Sequence, residues 1–258
     1  MSLIRYHEEQ AVATLTLNRP ESLHSLTGEL MSQLMESLHK AGQNPDIRCI
    51  VLTATGKAFC AGQDLNEFDR VDEIDFEGTL KSRYEPLIQT MRSLSKPIVC
   101  GLNGVAAGAG ASLALACDMI IASEDAYLTM AFVHIGLIPD GGSTWFLPRM
   151  TGYHRAMNLM MTGDKVTARQ AHEWGWIYAV YPPDGFDDAL HVMATKMSHM
   201  PTQALARIKQ AVNASFQNTL EEQLMLERNL QTQAGKTKDF KEGVAAFREK
   251  RRPKFGGG

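Results

Sequence analysis

The sequence predicts an α/β fold with largely parallel strand pairing, followed by a mainly helical C-terminal part. Short strand-like apolar segments at residues 11–18, 49–53, 97–101 and 119–122 are separated by segments with helical periodicity. Beyond residue 150 helical patterns dominate. The chain has 258 residues and is 44% hydrophobic, which is enough for one large domain or for a core with a helical appendage.

The first elements follow from local patterns. Residues 11–18 alternate apolar and polar side chains as a half-buried strand does, and residues 19–22 end that strand as a turn. Thr27 can cap the next helix, and Glu29 lies in its first turn, where the helix dipole favours an acid. One face of this helix is apolar, formed by Leu30, Met31, Leu34, Met35 and Leu38. Residues 49–53, 97–101 and 119–122 are continuous apolar runs, typical of buried parallel strands.

The later elements are mainly helices. Residues 79–94 form a helical connection, and the small residues of 108–116 predict a helix that packs tightly between neighbours. Thr167 and Thr219 begin capping-box sequences that start two further helices. The weakest internal boundary falls at residues 200–202, and the glycines at 256–258 are expected to fray.

Composition narrows the classes of partner. The formal charge of −3, from 26 basic and 29 acidic residues, favours neither nucleic acid nor an anionic membrane, so a small-molecule substrate is expected. The cysteines lack zinc or redox spacing and are interpreted as buried free thiols. No run approaches the roughly 20 apolar residues of a membrane-spanning helix, and the first residues do not resemble a signal peptide. We expect a cytoplasmic protein.

Two stretches of small residues, 58–65 and 103–111, each follow a predicted strand. Small side chains let backbone amides face a cleft, and the second stretch opens a helix whose first amides are unpaired, so together they suit an oxyanion. Alternatively, Gly104, Gly108 and Gly110 only allow close helix packing, and one stretch alone would favour that interpretation. The spacing fits neither a phosphate loop nor a dinucleotide fingerprint.

These two stretches resemble the paired oxyanion-hole motifs of the crotonase (enoyl-CoA hydratase/isomerase) superfamily. The resemblance covers nearly the whole chain, with matching segments at 18–21, 117–118, 136–142, 162–163 and 242–247. It implies a ClpP/crotonase-like spiral of ββα units, with the acyl-CoA site in residues 1–200 and a C-terminal helical trimerisation module in residues 201–258. It further implies a CoA thioester as substrate, no bound cofactor or metal, a homo-oligomer that is a trimer or hexamer, and a possible hydratase partner subunit.

The resemblance also implies roles for individual residues. The oxyanion hole is assigned to the backbone N–H groups of Ala61 and Ala109, and losing one preorganised donor of this kind costs about 3 to 4 kcal/mol in the barrier. Phe247 or Phe255 contributes to the CoA site from a neighbouring subunit, although a phenylalanine at a helix end is more often a core residue. The other substrate or CoA contacts are Leu23, Gly62, Gln63, Asp64, Leu65, Gly108 and Phe132.

The reaction is suggested by the carboxylates. Hydratases of the family use two glutamates to activate water, and the corresponding positions here are Ser112 and Phe132, neither of which can do so. Asp140 remains, in a Pro-Asp-Gly sequence that could equally be a simple turn. Within the resemblance its loop faces the substrate's alpha and gamma carbons, which makes Asp140 the predicted base of an isomerase. His134 is given no role, because a lone histidine is more often structural.

Residues 106–111, 130–132 and 171–175 resemble a subgroup of isomerases that act on the ring epoxide of phenylacetyl-CoA. In the implied mechanism Asp140 removes a C2 proton and the enolate opens the epoxide toward an oxepin; the same groups would shift a 3-enoyl double bond to position 2. One alternative is a hydratase with a rearranged water site. Another is an inactive partner or scaffold, or an RNA-associated relative. Its best support is the short basic run 250–254. That run also fits a solvated helix end or a contact to the CoA 3′-phosphate.

Overall fold

Two β-sheets with helices packed around them make up the computed structural model, which describes residues 2–67 and 74–258. The larger sheet has the order β1-β2-β3-β5-β7-β10, in which β1 pairs antiparallel with β2 and the other neighbours are parallel. Its strands are β1 Ile4–Glu9, β2 Val12–Leu17, β3 Cys49–Ala54, β5 Ile98–Leu102, β7 Met119–Ser123 and β10 Ala179–Tyr181. The predicted α/β class with mainly parallel pairing is confirmed.

The smaller sheet was not predicted. Its order is β4-β6-β8-β9, with parallel pairing except between β8 and β9. Its strands are β4 Ala58–Cys60, β6 Val105–Ala107, β8 Tyr127–Thr129 and β9 Lys165–Thr167. Segments of three residues are too short to show an alternating pattern. In three successive units, β3–β4, β5–β6 and β7–β8, a strand of the larger sheet is followed by one of the smaller sheet and then by a helical segment, so this part of the chain spirals as repeated ββα units.

The helices cover the outer faces and form the C-terminal part. In chain order they are α1 Gly28–Gln43, α2 Phe76–Thr79, a π-helical turn Leu80–Tyr84, α3 Glu85–Ser93, α4 Ala109–Leu115, α5 Ser143–Thr151, α6 Tyr153–Thr162, α7 Ala168–Glu173, α8 Phe186–Ser198, α9 Thr202–Ser215, α10 Leu220–Ala234 and α11 Lys238–Arg248. Short 3-10 turns occupy Pro20–Ser22, Leu65–Glu67, Ala131–Ile135 and Pro183–Gly185. None of the helices described is long and apolar enough to cross a membrane.

The predicted caps are confirmed. The Thr27 hydroxyl accepts from the amide of Leu30 at 3.2 Å, and α1 buries Leu30, Met31, Leu34 and Leu38 against the core. Thr167 and Thr219 both form complete capping boxes. All four cysteines are buried free thiols, as expected.

Glycines set how closely α4 approaches the smaller sheet. A Cβ on Gly110 would lie 2.2 Å from the carbonyl oxygen of Cys60, and one on Gly104 would lie 2.0 Å from that of Lys57. Any side chain at either position would push the backbones apart. Gly104 and Gly110 therefore allow close packing. This role is compatible with an oxyanion site formed by the same stretch.

The C-terminal glycines are held rather than frayed, contrary to the prediction. The amides of Gly256 and Gly257 donate to the buried carboxylate of Asp239 at 2.7 and 2.9 Å. The carbonyl of Gly258 accepts from the first amides of α11. Arg48 ties the same region to the core, donating to the carbonyls of Met200 and Phe255. Glycine has no strong conformational preference of its own, so these hydrogen bonds fix the position of residues 256–258. The division of the chain at residue 201 stays a prediction.

Candidate active site

A largely apolar cleft of about 530 Å³ opens between the end of β4, the start of α4 and the segment 131–140. The two stretches of small residues singled out in the sequence both reach it, through Ala61 and Gly62 on one side and Gly108 and Ala109 on the other. Its other lining residues are Gln63, Leu65, Ile74, Phe76, Thr79, Leu80, Tyr84, Ala131, Phe132, His134, Ile135, Leu137 and Asp140.

The two loops converge at Gly62. Its φ of +97° is in the left-handed region, and a Cβ built on it would lie 2.9 Å from the carbonyl oxygen of Ala107 and 3.5 Å from the amide nitrogen of Ala109. A side chain would therefore both strain this residue and crowd the opposite loop. The close approach brings the backbone of the β4 loop against the first residue of α4.

The amide of Ala61, predicted to be an oxyanion donor, is already used. It donates to the carbonyl of Leu23 at 3.0 Å, so it does not face the cleft as a free donor. Leu23 has φ +51°, and this left-handed turn directs its carbonyl to Ala61. The structure thus contradicts the Ala61 assignment.

The amide of Gln63 is the available one in the same loop. Gly62 accepts from the amide of Leu26 at 2.7 Å and Asp64 donates to the carbonyl of Leu26 at 3.0 Å, so both flanking groups face Leu26. The N–H of Gln63 lies between them and points to the opposite side, as alternate groups of an extended chain do. Among the described residues no acceptor is paired with it.

The amide of Ala109 is available for a different reason. It is the first residue of α4, where amides have no intrahelical acceptor, and no partner for it occurs in residues 2–67 or 74–258. The preceding Gly108 has φ +52° and donates its own amide to Thr129 at 3.0 Å. This fixes the direction in which α4 begins. The position predicted for the second oxyanion donor is therefore free to act.

Asp140 lies in the wall of the same cleft. Its side chain is half-buried, and its Oδ1 atom is buried with no hydrogen-bond partner in the part of the chain described. Burial raises the pKa of this carboxyl to about 6. A carboxylate that is neither paired nor fully solvated is suited to accept a proton from a ligand.

Ser112 and Phe132 occupy the places at which the resemblance puts the hydratase glutamates. The Ser112 hydroxyl is buried and bonds to the carbonyl of Asp140 at 2.9 Å and to the hydroxyl of Ser143 at 2.7 Å. Phe132 is buried in the cleft wall, with its ring 3.9 Å from the position of a Cβ on Gly108. Ser112 therefore holds the Asp140 loop, and Phe132 gives the wall an apolar surface.

Other predicted contacts divide into two groups. Gln63, Leu65, Gly62 and Gly108 line the cleft. The carboxylate of Asp64 does not: it is 5% exposed and pairs with Arg19 at 2.5 Å, which holds the pKa of that carboxyl below its usual range. Asp64 therefore braces the loop from behind, and its side chain is not a CoA contact. Leu23 lies outside the cleft lining, although it is exposed.

Phe247, on α11, and Phe255, in the tail that follows this helix, border a separate groove. Phe247 is 85% exposed. Their predicted contact with the CoA of a neighbouring subunit stays a prediction. His134 lines the cleft, and its Nε2 atom is 3.0 Å from the carbonyl of Thr162, a contact that orients the ring.

Several cleft residues were missed in the sequence, among them Phe76, Leu80 and Tyr84 from α2 and the π-helical turn. Leu80 and Tyr84 lie in the segment 79–94, which was interpreted only as a helical connection. Nothing in its local pattern separates the side chains that face the cleft from those that face the core. No cluster of three or more histidine, cysteine or acidic side chains suited to a metal occurs within the described residues.

Comparison with known proteins identifies the family. The family model described as enoyl-CoA hydratase/isomerase matches residues 7–258. The chain is 46% identical to 1,2-epoxyphenylacetyl-CoA isomerase of Escherichia coli K12, covering 100% of this chain and 99% of the relative, and 41% identical to a probable enoyl-CoA hydratase of Rhodobacter capsulatus, covering 98% of each. A crystal structure of a putative enoyl-CoA hydratase/isomerase from Mycobacterium abscessus superposes with a TM-score of 0.92 at 32% identity over 98% of both chains, which confirms the predicted crotonase fold. The chain therefore belongs to the enoyl-CoA hydratase/isomerase family, and it is an enzyme that acts on CoA thioesters.

Proposed function

We propose that this enzyme is an acyl-CoA isomerase in which Asp140 moves a proton and the amides of Gln63 and Ala109 hold the thioester oxygen. The observation that carries this proposal is the position of Asp140, the only carboxylate among the cleft-lining residues described. Its unpaired Oδ1 and raised pKa fit a base that works near neutral pH.

The reaction follows from these groups. The Asp140 carboxylate takes a proton from C2 of the acyl chain, and the electrons of that C–H bond pass into the thioester, forming an enolate. Negative charge on the oxygen is stabilised by the two amides, each at a fixed place in the backbone. Protonated Asp140 then returns the proton to C4 of a 3-enoyl chain, which gives the 2-enoyl isomer with no net change in atoms.

Water activation has little support in this cleft. The buried Ser112 hydroxyl is engaged with Asp140 and Ser143, and Phe132 has no polar atom. A hydratase needs groups that orient and deprotonate water beside the double bond. These two residues favour isomerisation over hydration.

The acyl group is proposed to be bulky and apolar, with the ring epoxide of phenylacetyl-CoA as the leading candidate. Phe76, Leu80 and Phe132 give the cleft an apolar wall suited to a ring. The 46% identity to 1,2-epoxyphenylacetyl-CoA isomerase supports the same substrate. With it, the enolate formed at C2 would open the epoxide toward a seven-membered ring.

A trimer or hexamer is proposed as the working assembly. The C-terminal helices expose a series of apolar side chains that an adjacent subunit could cover, including Ile208, Leu220, Leu224, Phe240 and Phe247. Sedimentation of the purified protein would measure the subunit number. A monomer at micromolar concentration would reject this assembly.

The deciding experiment is turnover of a panel of 3-enoyl-CoAs and of the phenylacetyl-CoA ring epoxide, with product identification. Asp140→Asn is expected to lose isomerase activity by about 10³-fold or more while remaining folded. Asp125→Asn, in an exposed turn, is the matched control. Near-native turnover by Asp140→Asn would remove this residue from the mechanism.

Hydration is tested in parallel, because the chain is also 41% identical to a probable enoyl-CoA hydratase. Crotonyl-CoA loses its conjugated thioester absorbance when water adds to it. Rapid loss of that absorbance, with no isomerisation of 3-enoyl-CoAs, would make the protein a hydratase.

A further inference from the structure

The side chain of Gln63 is held at both ends. Its Nε2 atom donates to Glu67 Oε2 at 3.1 Å, and its Oε1 atom accepts a hydrogen bond from the hydroxyl of Tyr84. Glu67 is fixed in turn, because its carboxylate accepts from the amide of Gly28 at 2.6 Å and from Arg83 at 3.0 Å. The residue whose main-chain amide faces the cleft is thus clamped through its own side chain.

Tyr84 approaches this loop from another element. It ends the π-helical turn Leu80–Tyr84 and is only 5% exposed, although it lines the cleft. The wider π-helical turn changes the angular position of the residues that follow it relative to an α-helix. The hydrogen bond from Tyr84 therefore joins the β4 loop to the opposite helical wall.

A purely structural role for Tyr84 would be satisfied by its buried ring. The hydroxyl, however, donates to the side-chain amide oxygen of Gln63. Backbone hydrogen bonds to Leu26 set the side to which the Gln63 amide faces, but the preceding Gly62, at φ +97°, restrains the backbone little, so the exact angle of this amide needs a second constraint. The Gln63 side chain is in a position to supply it.

We propose that Tyr84 is a positioning residue that acts through the Gln63 side chain to aim the Gln63 amide at the thioester oxygen. This inference rests on the proposed oxyanion role of Gln63. Small errors in such geometry are costly, because a displacement of about 1 Å can reduce a rate by about 100-fold.

Tyr84→Phe removes only the hydroxyl and tests the proposal directly. We expect kcat for isomerisation to fall about 10- to 100-fold with KM changed less than about threefold, because enolate stabilisation is lost more than ground-state binding. Tyr6→Phe is the matched control, since the Tyr6 hydroxyl also donates to a side chain, Glu8 at 2.6 Å, but on the exposed edge strand. Unchanged kcat in Tyr84→Phe would overturn the proposal.

A double-mutant cycle separates action through Gln63 from action on Asp140. Gln63→Met keeps the main-chain amide and the side-chain length but removes the acceptor for Tyr84. If Tyr84 acts through Gln63, the double variant should be no slower than the slower single variant. The proposed route would be contradicted if the rate losses of the two single variants multiplied in the double variant. It would also be contradicted if Tyr84→Phe only shifted the pH dependence of the rate.

Vibrational spectroscopy makes the test independent of the reaction. Butyryl-CoA labelled with ¹³C at the thioester carbonyl cannot be isomerised or hydrated, and its C=O stretch reports hydrogen bonding to that oxygen. The stretch should shift to lower frequency on binding to the native protein, and the shift should shrink in Tyr84→Phe but not in Tyr6→Phe. A shift in Tyr84→Phe as large as in the native protein would reject the role of Tyr84. A smaller shift in Tyr84→Phe, together with no isomerase activity in any variant or in the native protein, would reject only the proposed reaction.

Discussion

The hydroxyl of Ser112 lies 2.9 Å from the carbonyl oxygen of Asp140 and 2.7 Å from the hydroxyl of Ser143. Ser112 belongs to α4, the helix whose first amide is that of Ala109. One side chain therefore connects the helix proposed to hold the substrate oxygen with the loop that carries the proposed base. We expect the distance between the Ala109 amide and the Asp140 carboxylate to depend on this contact.

Ser112→Ala tests that connection. The variant leaves the Asp140 loop without its buried donor, so we expect a loss of about 1 to 2 kcal/mol in unfolding free energy and about tenfold in kcat. Urea unfolding and steady-state kinetics measure the two effects. Ser37→Ala, which removes a part-buried intrahelical bond to the carbonyl of Gln33 at 2.7 Å, is the control. Full activity in Ser112→Ala would mean that the loop holds itself.

Activity should depend on pH through Asp140. The base must be ionised, and burial raises its pKa to about 6, so kcat/KM should rise between pH 5 and 7 and be flat above. At pH 5 about one tenth of the plateau value is expected. A carboxyl near its ordinary value of 3.8 would instead give a flat profile from pH 5 upward. The effect is hidden when a step other than proton transfer limits the rate. A slow substrate, for which proton transfer is rate-limiting, should therefore be used.

Ionisation of the Asp140 carboxyl should lower the free energy of unfolding. Its pKa is higher in the folded chain than in the unfolded one, so its unfavourable contribution is absent well below pH 3.8, develops through pH 6 and is complete above. Asp140→Asn should therefore be more stable than the native protein at pH 8 by about 1 kcal/mol, allowing for screening at a partly exposed site. Chemical unfolding at pH 8 and pH 4.5 gives the comparison. A variant less stable at pH 8 would show that the ionised carboxylate is stabilised in the fold.

Gly62→Ala should damage both fold and chemistry. The left-handed φ and the 2.9 Å approach to the Ala107 carbonyl together predict a loss of about 2 kcal/mol or more in unfolding free energy. Turnover should drop about 100-fold or more, because the Gln63 amide would be displaced. Gly185→Ala has nothing within 4 Å of the added methyl and serves as control. Equal behaviour of the two variants would refute the close approach of the loops.

Local signals account for what the sequence predicted well. Thr27, Thr167 and Thr219 begin helices because the side-chain oxygen and the amide N–H that donates to it are only three residues apart. Buried strands such as β3 and β5 are visible because both faces are apolar. Strand β1 was missed because it lies at the sheet edge and buries only Ile4.

The choice between Ala61 and Gln63 shows where sequence reasoning ends. The small-residue stretch locates the loop, but the direction of each amide depends on the left-handed turn at Leu23 and on the bridge to Leu26, which are distant in sequence. Tyr84 was missed for a similar reason, since the π-helical turn that places it has no local pattern. Asp64 was assigned to the ligand because its partner Arg19 lies 45 residues away.

Gly110 lets α4 rest directly on β4, and Gly104 lets the turn before β6 approach Lys57, so the two loops that reach the cleft are held together by contacts between main chains. The proposed chemistry and the proposed selectivity for the acyl group consequently depend on different parts of the polypeptide. Phe76, Leu80 and Ile135 could be randomised in a directed-evolution library to admit new acyl groups while the enolate-forming apparatus is retained. Related enzymes could change their substrate range in the same way, by substitutions in the cleft wall that leave the catalytic groups unchanged.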